Sequence, residues 1–337
     1  MVRVGIIANP AAGKDVRRLV SEATIVTAPE KVGLLRRALV GLGATPVDEV
    51  IYLRDSMHLV DQALRALPEQ RRPAFAMTPL DLALRHCPED TARAARVMRD
   101  RGVQALLVLG GDGTSRLVAG EIGDVPMLPV STGTNNAFPQ WTEATAAGMA
   151  SGFVAAGLAQ GAVMRRKRIE VRQNGGLRAI ALVDAVVLQP DSSAVLAVWD
   201  PEDVGEVVVT QALPETVGWS AAVGAALPIG VDEACGGYLR LDSSSARRLK
   251  AAIGPGLIAE LGVAEVRRLP LGEPVAVRGP RMIALDGEPL LGVPAGRETT
   301  ISVTDSGPRV IGIARALELA AQAGAFWRGG AGYQLGT

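Results

Sequence analysis

Residues 105–114 read Ala105-Leu106-Leu107-Val108-Leu109-Gly110-Gly111-Asp112-Gly113-Thr114, and their reading decides the fold. The apolar run fits a buried strand. It delivers a loop with three glycines, one carboxylate and one hydroxyl. Glycines allow positive φ and let a bulky ligand approach the main chain. Successive N–H groups freed in such a turn form a nest suited to phosphate. A carboxylate among those amides repels phosphate unless it holds a hydroxyl, accepts its proton or holds Mg²⁺. The loop therefore points to phosphoryl transfer to an alcohol. The plain structural alternative is a tight strand-to-helix turn capped by its Asp or Thr.

Working outward, residues 1–160 alternate strand and helix. Val2–Ala8, Val47–Leu53, 103–109 and Met127–Val130 fit strands. Segments 30–42, 57–67, 91–101 and 114–121 fit helices, with Asp90 or Thr91 expected to cap the third. Such alternation predicts a parallel sheet wrapped by helices, and ligands in these sheets sit at the carboxyl ends of strands. Three polar loops leave those ends. They are Asn9-Pro10-Ala11-Ala12-Gly13, Gly110–Thr114, and Ser131-Thr132-Gly133-Thr134-Asn135-Asn136-Ala137. If the strands share one sheet, the loops converge on one edge. The last loop offers hydroxyls for phosphate and amides for a base or ribose edge; its bland reading is a loop ending in a helix cap at Asn135 or Asn136.

From about 163 to 312 the texture changes to short β-rich runs at 167–172, 179–188, 194–199, 205–211, 238–242, 274–278, 281–285 and 299–303. Turn residues such as Gln173-Asn174-Gly175-Gly176 and Asp286-Gly287 separate them. The expectation is a β-rich, largely antiparallel domain, in sandwich form. Residues 244–262 read as helical with Gly254-Pro255-Gly256 interrupting, and 214–237 resist placement. A helix around Ala314–Ala325 is expected to return to the first domain. The expected division is 1–160 α/β and nucleotide-binding, 161–312 β-rich and acceptor-binding, and 313–337 the returning helix and tail.

Lys+Arg and Asp+Glu are both 35, so no basic field recruits nucleic acid. Aromatics at 3% argue against base-stacking platforms. No apolar run has the length of a membrane span, and the N-terminus lacks a signal-peptide pattern. Cys87 and Cys235 lie far apart without CxxC spacing. The expected setting is the cytoplasm, with reduced thiols.

The words Asn9-Pro10-Ala11-Ala12-Gly13, Gly110–Thr114, Ser131–Asn136 and Asp286-Gly287-Glu288, in this order, resemble the NAD kinase/diacylglycerol kinase superfamily. Within it, Asp90-Thr91 and the run Ser131–Pro139 resemble the acetoin-catabolism protein X group. The resemblance implies a two-domain, ATP- and Mg²⁺-dependent phosphotransferase with its site between the domains and a hydroxylated small molecule as acceptor. NAD is the leading acceptor, and a lipid or small hydroxylated metabolite the alternative. A non-catalytic nucleotide-binding regulator is the reading from another class. Asn9, Gly110, Gly111, Gly113, Thr114, Thr132, Gly133, Thr134, Asn135 and Asn136 would bind the nucleotide. No protein metal ligands are implied beyond Mg²⁺ carried by the nucleotide. Asp112, by analogy with NAD kinases, or Glu288, by analogy with the lipid kinases, would be the base, and Asp286 would accompany Glu288. Asp112 is preferred because it lies inside the phosphate loop. The chain lacks the Asn-Glu dipeptide and the Gly-Ser-Thr-Ala-Tyr-like run of NAD kinases, and Pro129-x-x-x-Gly133-Thr134-x-Asn136 lies nearer the diacylglycerol kinase pattern.

Other candidates have mainly structural readings. Gly13-Lys14 lacks the P-loop spacing, and Lys14 reads by default as a solvated lysine, with approach to phosphate the alternative. Arg116 can reach phosphate from the first turn of its helix or form a salt bridge. His86-Cys87 lacks partners at metal-ligand spacing. Arg165-Arg166-Lys167-Arg168 reads as a solvated junction. A homo-oligomer is compatible with all of this.

Overall fold

The computed structural model describes residues 1–13, 22, 26–133, 136–190, 198 and 200–327. The first part of the chain builds β1 (Arg3–Ala8), α1 (Ala28–Gly43), β2 (Glu49–Tyr52), α2 (Leu59–Arg65), β3 (Ala76–Pro79), α3 (Glu89–Asp100), β4 (Ala105–Gly110), α4 (Asp112–Ala119), β5 (Met127–Ser131) and α5 (Ala144–Ala155). There follow β6 (Val163–Arg165), β7 (Arg168–Gln173), β8 (Gly176–Ala181), β9 (Asp184–Leu188), β10 (Val204–Val209), α6 (Trp219–Ala226), β11 (Cys235–Leu241), β12 (Arg248–Gly254) and β13 (Leu257–Pro270). The chain ends with β14 (Val275–Val277), β15 (Arg281–Leu285), β16 (Glu288–Val293), β17 (Thr299–Thr304), β18 (Arg309–Ile311) and α7 (Ile313–Gln322).

The first sheet has the order β3-β2-β1-β4-β5-β18-β6. Its strands run parallel except β6, which is antiparallel at the edge. β4 lies at its centre because its side chains serve two cores. Ala105, Leu107 and Leu109 face the cluster built with α1 and α5, including Leu35, Leu39 and Phe153. Leu106 and Val108 face the cluster built with α3 and α4, including Ala95, Met98 and Val118. A strand covered on both faces must be apolar throughout. Strand order reverses between β1 and β4, and the crevice at such a reversal is where open α/β sheets bind ligands. Asn9 leaves β1 there, and Gly110–Thr114 leaves β4.

α1 opens with a capping box, in which Thr27 N–H donates to Glu30 Oε2 at 2.6 Å and Glu30 N–H to Thr27 Oγ1 at 3.4 Å. It crosses α5 at glycines: a methyl group at Gly41 would overlap the Thr145 carbonyl, and one at Gly148 the Ala38 carbonyl. α3 starts differently from expectation. Pro88 stands at its cap, and Asp90 turns back to accept the N–H groups of Arg85 at 2.9 Å and His86 at 2.8 Å. Neither Asp90 nor Thr91 is the N-cap, because Pro88 and Glu89 already begin the helix.

The second domain is β-rich and antiparallel, in two sheets of order β12-β13-β11-β10-β9-β15-β16 and β14-β17-β7-β8. Ile169, Val171, Val187, Ile283 and Ile301 fill the core between them. Trp219, Ala222 and Val223 of α6 cover the other face of the larger sheet. α6 thus occupies the Gly/Ala-rich stretch that the sequence left unplaced. The helix expected over 244–262 is instead the β12–β13 hairpin. Ala251 and Ile253, alternate residues of β12, are buried, and Gly256 turns the chain with φ of 70°. The Gly-Pro-Gly sequence is the turn of a hairpin rather than a break in a helix. The strand expected at 194–199 falls almost wholly outside the described residues. α7 packs on α5, as expected, through Ala316 and Ala320.

Candidate active site

Asn9 joins the first two loops. Its N–H donates to Leu109 O at 2.9 Å, its Oδ1 accepts Ala11 N–H at 2.8 Å, and its Nδ2 donates to Thr114 Oγ1 at 2.9 Å. Gly111 caps α4 in extended conformation (φ −104°, ψ −168°), with no side-chain capping bond. The first N–H groups of a helix have no acceptor within it, and the helix dipole makes this end positive. The glycines do not serve positive φ, contrary to expectation; they make room. A methyl group at Gly110 would overlap Thr114, one at Gly111 would lie 2.8 Å from Asn136 Oδ1, and one at Gly113 3.0 Å from Glu288 Oε1.

The Asp112 carboxylate faces the third loop, where it accepts Ala137 N–H at 3.1 Å and Phe138 N–H at 2.9 Å. Ala137 O accepts Gln211 Nε2 from the second domain at 3.0 Å. The peptide around Ala137 is therefore held from both sides. Asn136 Nδ2 donates to Ser131 Oγ at 2.7 Å, so Asn136 buttresses its own loop rather than capping a helix. Thr132 N–H donates to Gly110 O at 3.0 Å. Thr132 is wholly buried, and its Oγ1 has no hydrogen-bond partner among the described residues. Gly133 lies against Asn136. Thr134, Asn135 and Lys14 lie outside the described residues.

The late acids come from the β15–β16 hairpin. Asp286 and Gly287 have φ of 50° and 82°, the pairing of signs that a two-residue turn of this twist demands. The Asp286 side chain is buried and accepts the N–H groups of Leu182 at 3.1 Å, Val183 at 2.8 Å and Asp184 at 3.3 Å. Burial pushes its carboxyl above the usual range, opposed by the Arg116 guanidinium at 3.8 Å and by those amides. Asp286 therefore holds the hairpin to the β8–β9 turn. Glu288 is different. Its side chain is 51% exposed, and its Oε2 pairs with Arg116 at 2.6 Å. Arg116 is buried and also donates to Leu285 O, so its role here is the salt bridge. The structure gathers Asn9, Gly110–Thr114, Thr132, Gly133, Asn136 and Glu288 about the start of α4, with Asp286 behind. Gln211 has no signature in the sequence: it ends the β-rich run 205–211, next to another polar residue, Thr210.

The remaining candidates resolve into packing. Arg165 pairs with Asp124, Arg166 with Asp232 and Arg168 with Glu170. Lys167 donates to the carbonyls of Gly230, Glu233 and Cys235. Among the described residues no cluster of three or more His, Cys, Asp or Glu could hold a metal ion, and no helix is long and apolar enough to cross a membrane.

Residues 4–158 match the family model of the ATP-NAD kinase N-terminal domain, and residues 167–306 that of the acetoin catabolism protein X C-terminal domain. Acetoin catabolism protein X of Cupriavidus necator is 37% identical over 324 residues, covering 92% of this chain and 90% of the relative. The chain belongs to the acetoin catabolism protein X family. Two solved structures of a candidate diacylglycerol kinase from Bacillus anthracis are similar at 11% and 12% identity, with TM-scores of 0.46 and 0.41. Each spans 92% of this chain, and 97% and 98% of those chains respectively. In the acetoin catabolism protein X family member described here, the kinase-like first domain supplies the glycine loop and the family's own C-terminal domain supplies Glu288 and Gln211.

Proposed function

We propose that the chain is a cytoplasmic, ATP-dependent phosphotransferase acting on a hydroxyl group, with NAD as the leading acceptor. The observation that carries this reading is the Glu288 carboxylate, brought from the second domain against Gly113 at the uncapped start of α4. A triphosphate suits that place. The α4 amides and the positive helix end favour an anion. Asn9 and Thr114 are locked together beside it. Mg²⁺ carried by the nucleotide would supply charge neutralisation on the transferred phosphoryl group.

Glu288 accepts the acceptor's hydroxyl proton as its oxygen attacks the γ-phosphorus of ATP and the bond from that phosphorus to ADP breaks, ADP being the leaving group. Arg116 holds Oε2 and so turns Oε1 toward Gly113. Asp112, whose carboxylate takes two backbone amides, fixes the third loop instead. General base catalysis contributes roughly 10²–10⁴-fold. The second reading, a kinase for another soluble hydroxylated metabolite, is favoured by the same placement of Glu288, the acid of the diacylglycerol kinase pattern.

ATP consumption by the purified protein, measured with NAD, NADH, diacylglycerol and a panel of polyols, tests the proposal. Turnover is expected with NAD or a soluble polyol, and Glu288→Gln should lower kcat by roughly 10²–10⁴-fold while leaving ATP affinity in place. ATP binding without turnover on any acceptor would favour a regulatory nucleotide-binding protein. Absence of ATP binding at millimolar concentration would remove both readings.

A further inference from the structure

Lys31, in the first turn of α1, is only 2% exposed. A buried ammonium is costly unless its donors are satisfied. Its Nζ lies 3.2 Å from Asn9 O, 3.1 Å from Pro10 O and 2.6 Å from Ala12 O. An ammonium has three N–H donors, and three carbonyls of one loop, those of Asn9, Pro10 and Ala12, lie within reach of this one. The loop Asn9–Gly13 is therefore wrapped around a cation.

That wrapping has two consequences. Carbonyl oxygens that accept from the cationic Nζ repel a nearby phosphate less than bare carbonyl oxygens would. The main chain of Asn9 is also fixed from below by Lys31 and from the side by Leu109 O, so that Nδ2 can meet Thr114 Oγ1 at 2.9 Å. The contacts run without a break from Lys31 through Asn9 to Thr114 in the first turn of α4. The compact head of lysine suits three convergent carbonyls, whereas the planar fork of arginine does not.

We infer that Lys31 is a positioning residue for the nucleotide, setting the Asn9–Gly13 loop and, through Asn9, the hydroxyl of Thr114. The inference rests on the nucleotide reading above and adds to it a residue that touches no ligand. In its Met variant the loop carbonyls lose their common donor, and Asn9 loses its support.

ATP-Mg²⁺ binding measured by calorimetry, at a temperature where each protein is folded, tests this. Lys31→Met should bind about 10- to 100-fold more weakly, the size expected for lost charged hydrogen bonds. Lys31→Arg should recover part of the loss. Glu170→Gln, which weakens an ion-pair cluster in the second domain, should bind within about twofold of wild type, separating loop geometry from general destabilisation. A folded Lys31→Met with wild-type affinity overturns the assignment. If that variant does not fold, unchanged affinity in Lys31→Arg does so. Backbone hydrogen exchange on the unmodified protein adds an arm needing no variant: exchange across residues 9–13 should slow when ATP-Mg²⁺ is added, and unchanged exchange also overturns it. A wild type that binds no ATP sinks the nucleotide reading. A wild type that binds ATP, with the loop unprotected or Lys31→Met unaffected, sinks only the role given to Lys31.

Discussion

Each glycine of the Gly110–Thr114 loop makes room for a particular neighbour: Thr114, Asn136 and Glu288 in turn. The motif was legible in the sequence, but the contacts that Asp112 and the distant Glu288 make were not. Asp112 lies inside the loop, which made it the natural choice of base. Its contacts depend on the backbone of Ala137 and Phe138, a relation between two loops that no local pattern encodes. Asp112→Asn places an NH₂ group where two N–H donors already point. The expected outcome is a raised KM for ATP with a smaller effect on kcat, the reverse of Glu288→Gln, and steady-state kinetics of the two variants compares them directly. A fall in kcat of roughly 10²–10⁴-fold in Asp112→Asn alone would return the role of base to Asp112.

Among the elements, β4 was readable because both of its faces meet helices, which forces a continuous apolar run. The β12–β13 hairpin was misread as a helix, since alternation is faint in the Ala- and Gly-containing sequence 248–262. α5 had no amphipathic signature because α1, the sheet and α7 cover it on several sides. Its glycines make sense only against their neighbours, Gly148 against α1 and Gly152 against Thr45 just beyond it. Gly148→Ala should drive the two helices apart and lower stability by about 1–3 kcal/mol, measurable by urea unfolding. On β7, burial alone would raise the Glu170 carboxyl, but Arg168, Arg172 and Ser306 outweigh it and hold it below the ordinary range. A carboxyl lowered in the folded state contributes stability above its unfolded pKa and loses it as pH falls through the folded value. Glu170→Gln should therefore cost about 1–3 kcal/mol at neutral pH and flatten the decline in melting temperature below about pH 4.3. An acid limb identical to wild type would contradict this.

At the scale of the whole molecule, Arg116 and Gln211 tie the two domains across the site. Arg116, buried on α4, serves Leu285 O, Glu288 and the buried Asp286. Arg116→Met leaves Asp286 without its cation and should cost about 3–5 kcal/mol, the usual result of breaking a buried pair from one side, seen as an earlier guanidinium midpoint. A midpoint at the wild-type value would show that the domains do not depend on this tie. The first sheet has one more property. Its strands β6 and β18 flank the entire second domain in sequence, and Val310 of β18 pairs with Met127 of β5. A ribosome delivers β1 to β5 early and β18 only after β7 to β17 have been made. Throughout that interval the nascent chain leaves the edge of β5 open around Met127, the kind of surface that recruits other strands. Slow translation of the second domain prolongs that exposure, so yield of soluble protein should depend on synthesis rate and on chaperone supply more than on the stability of the finished fold.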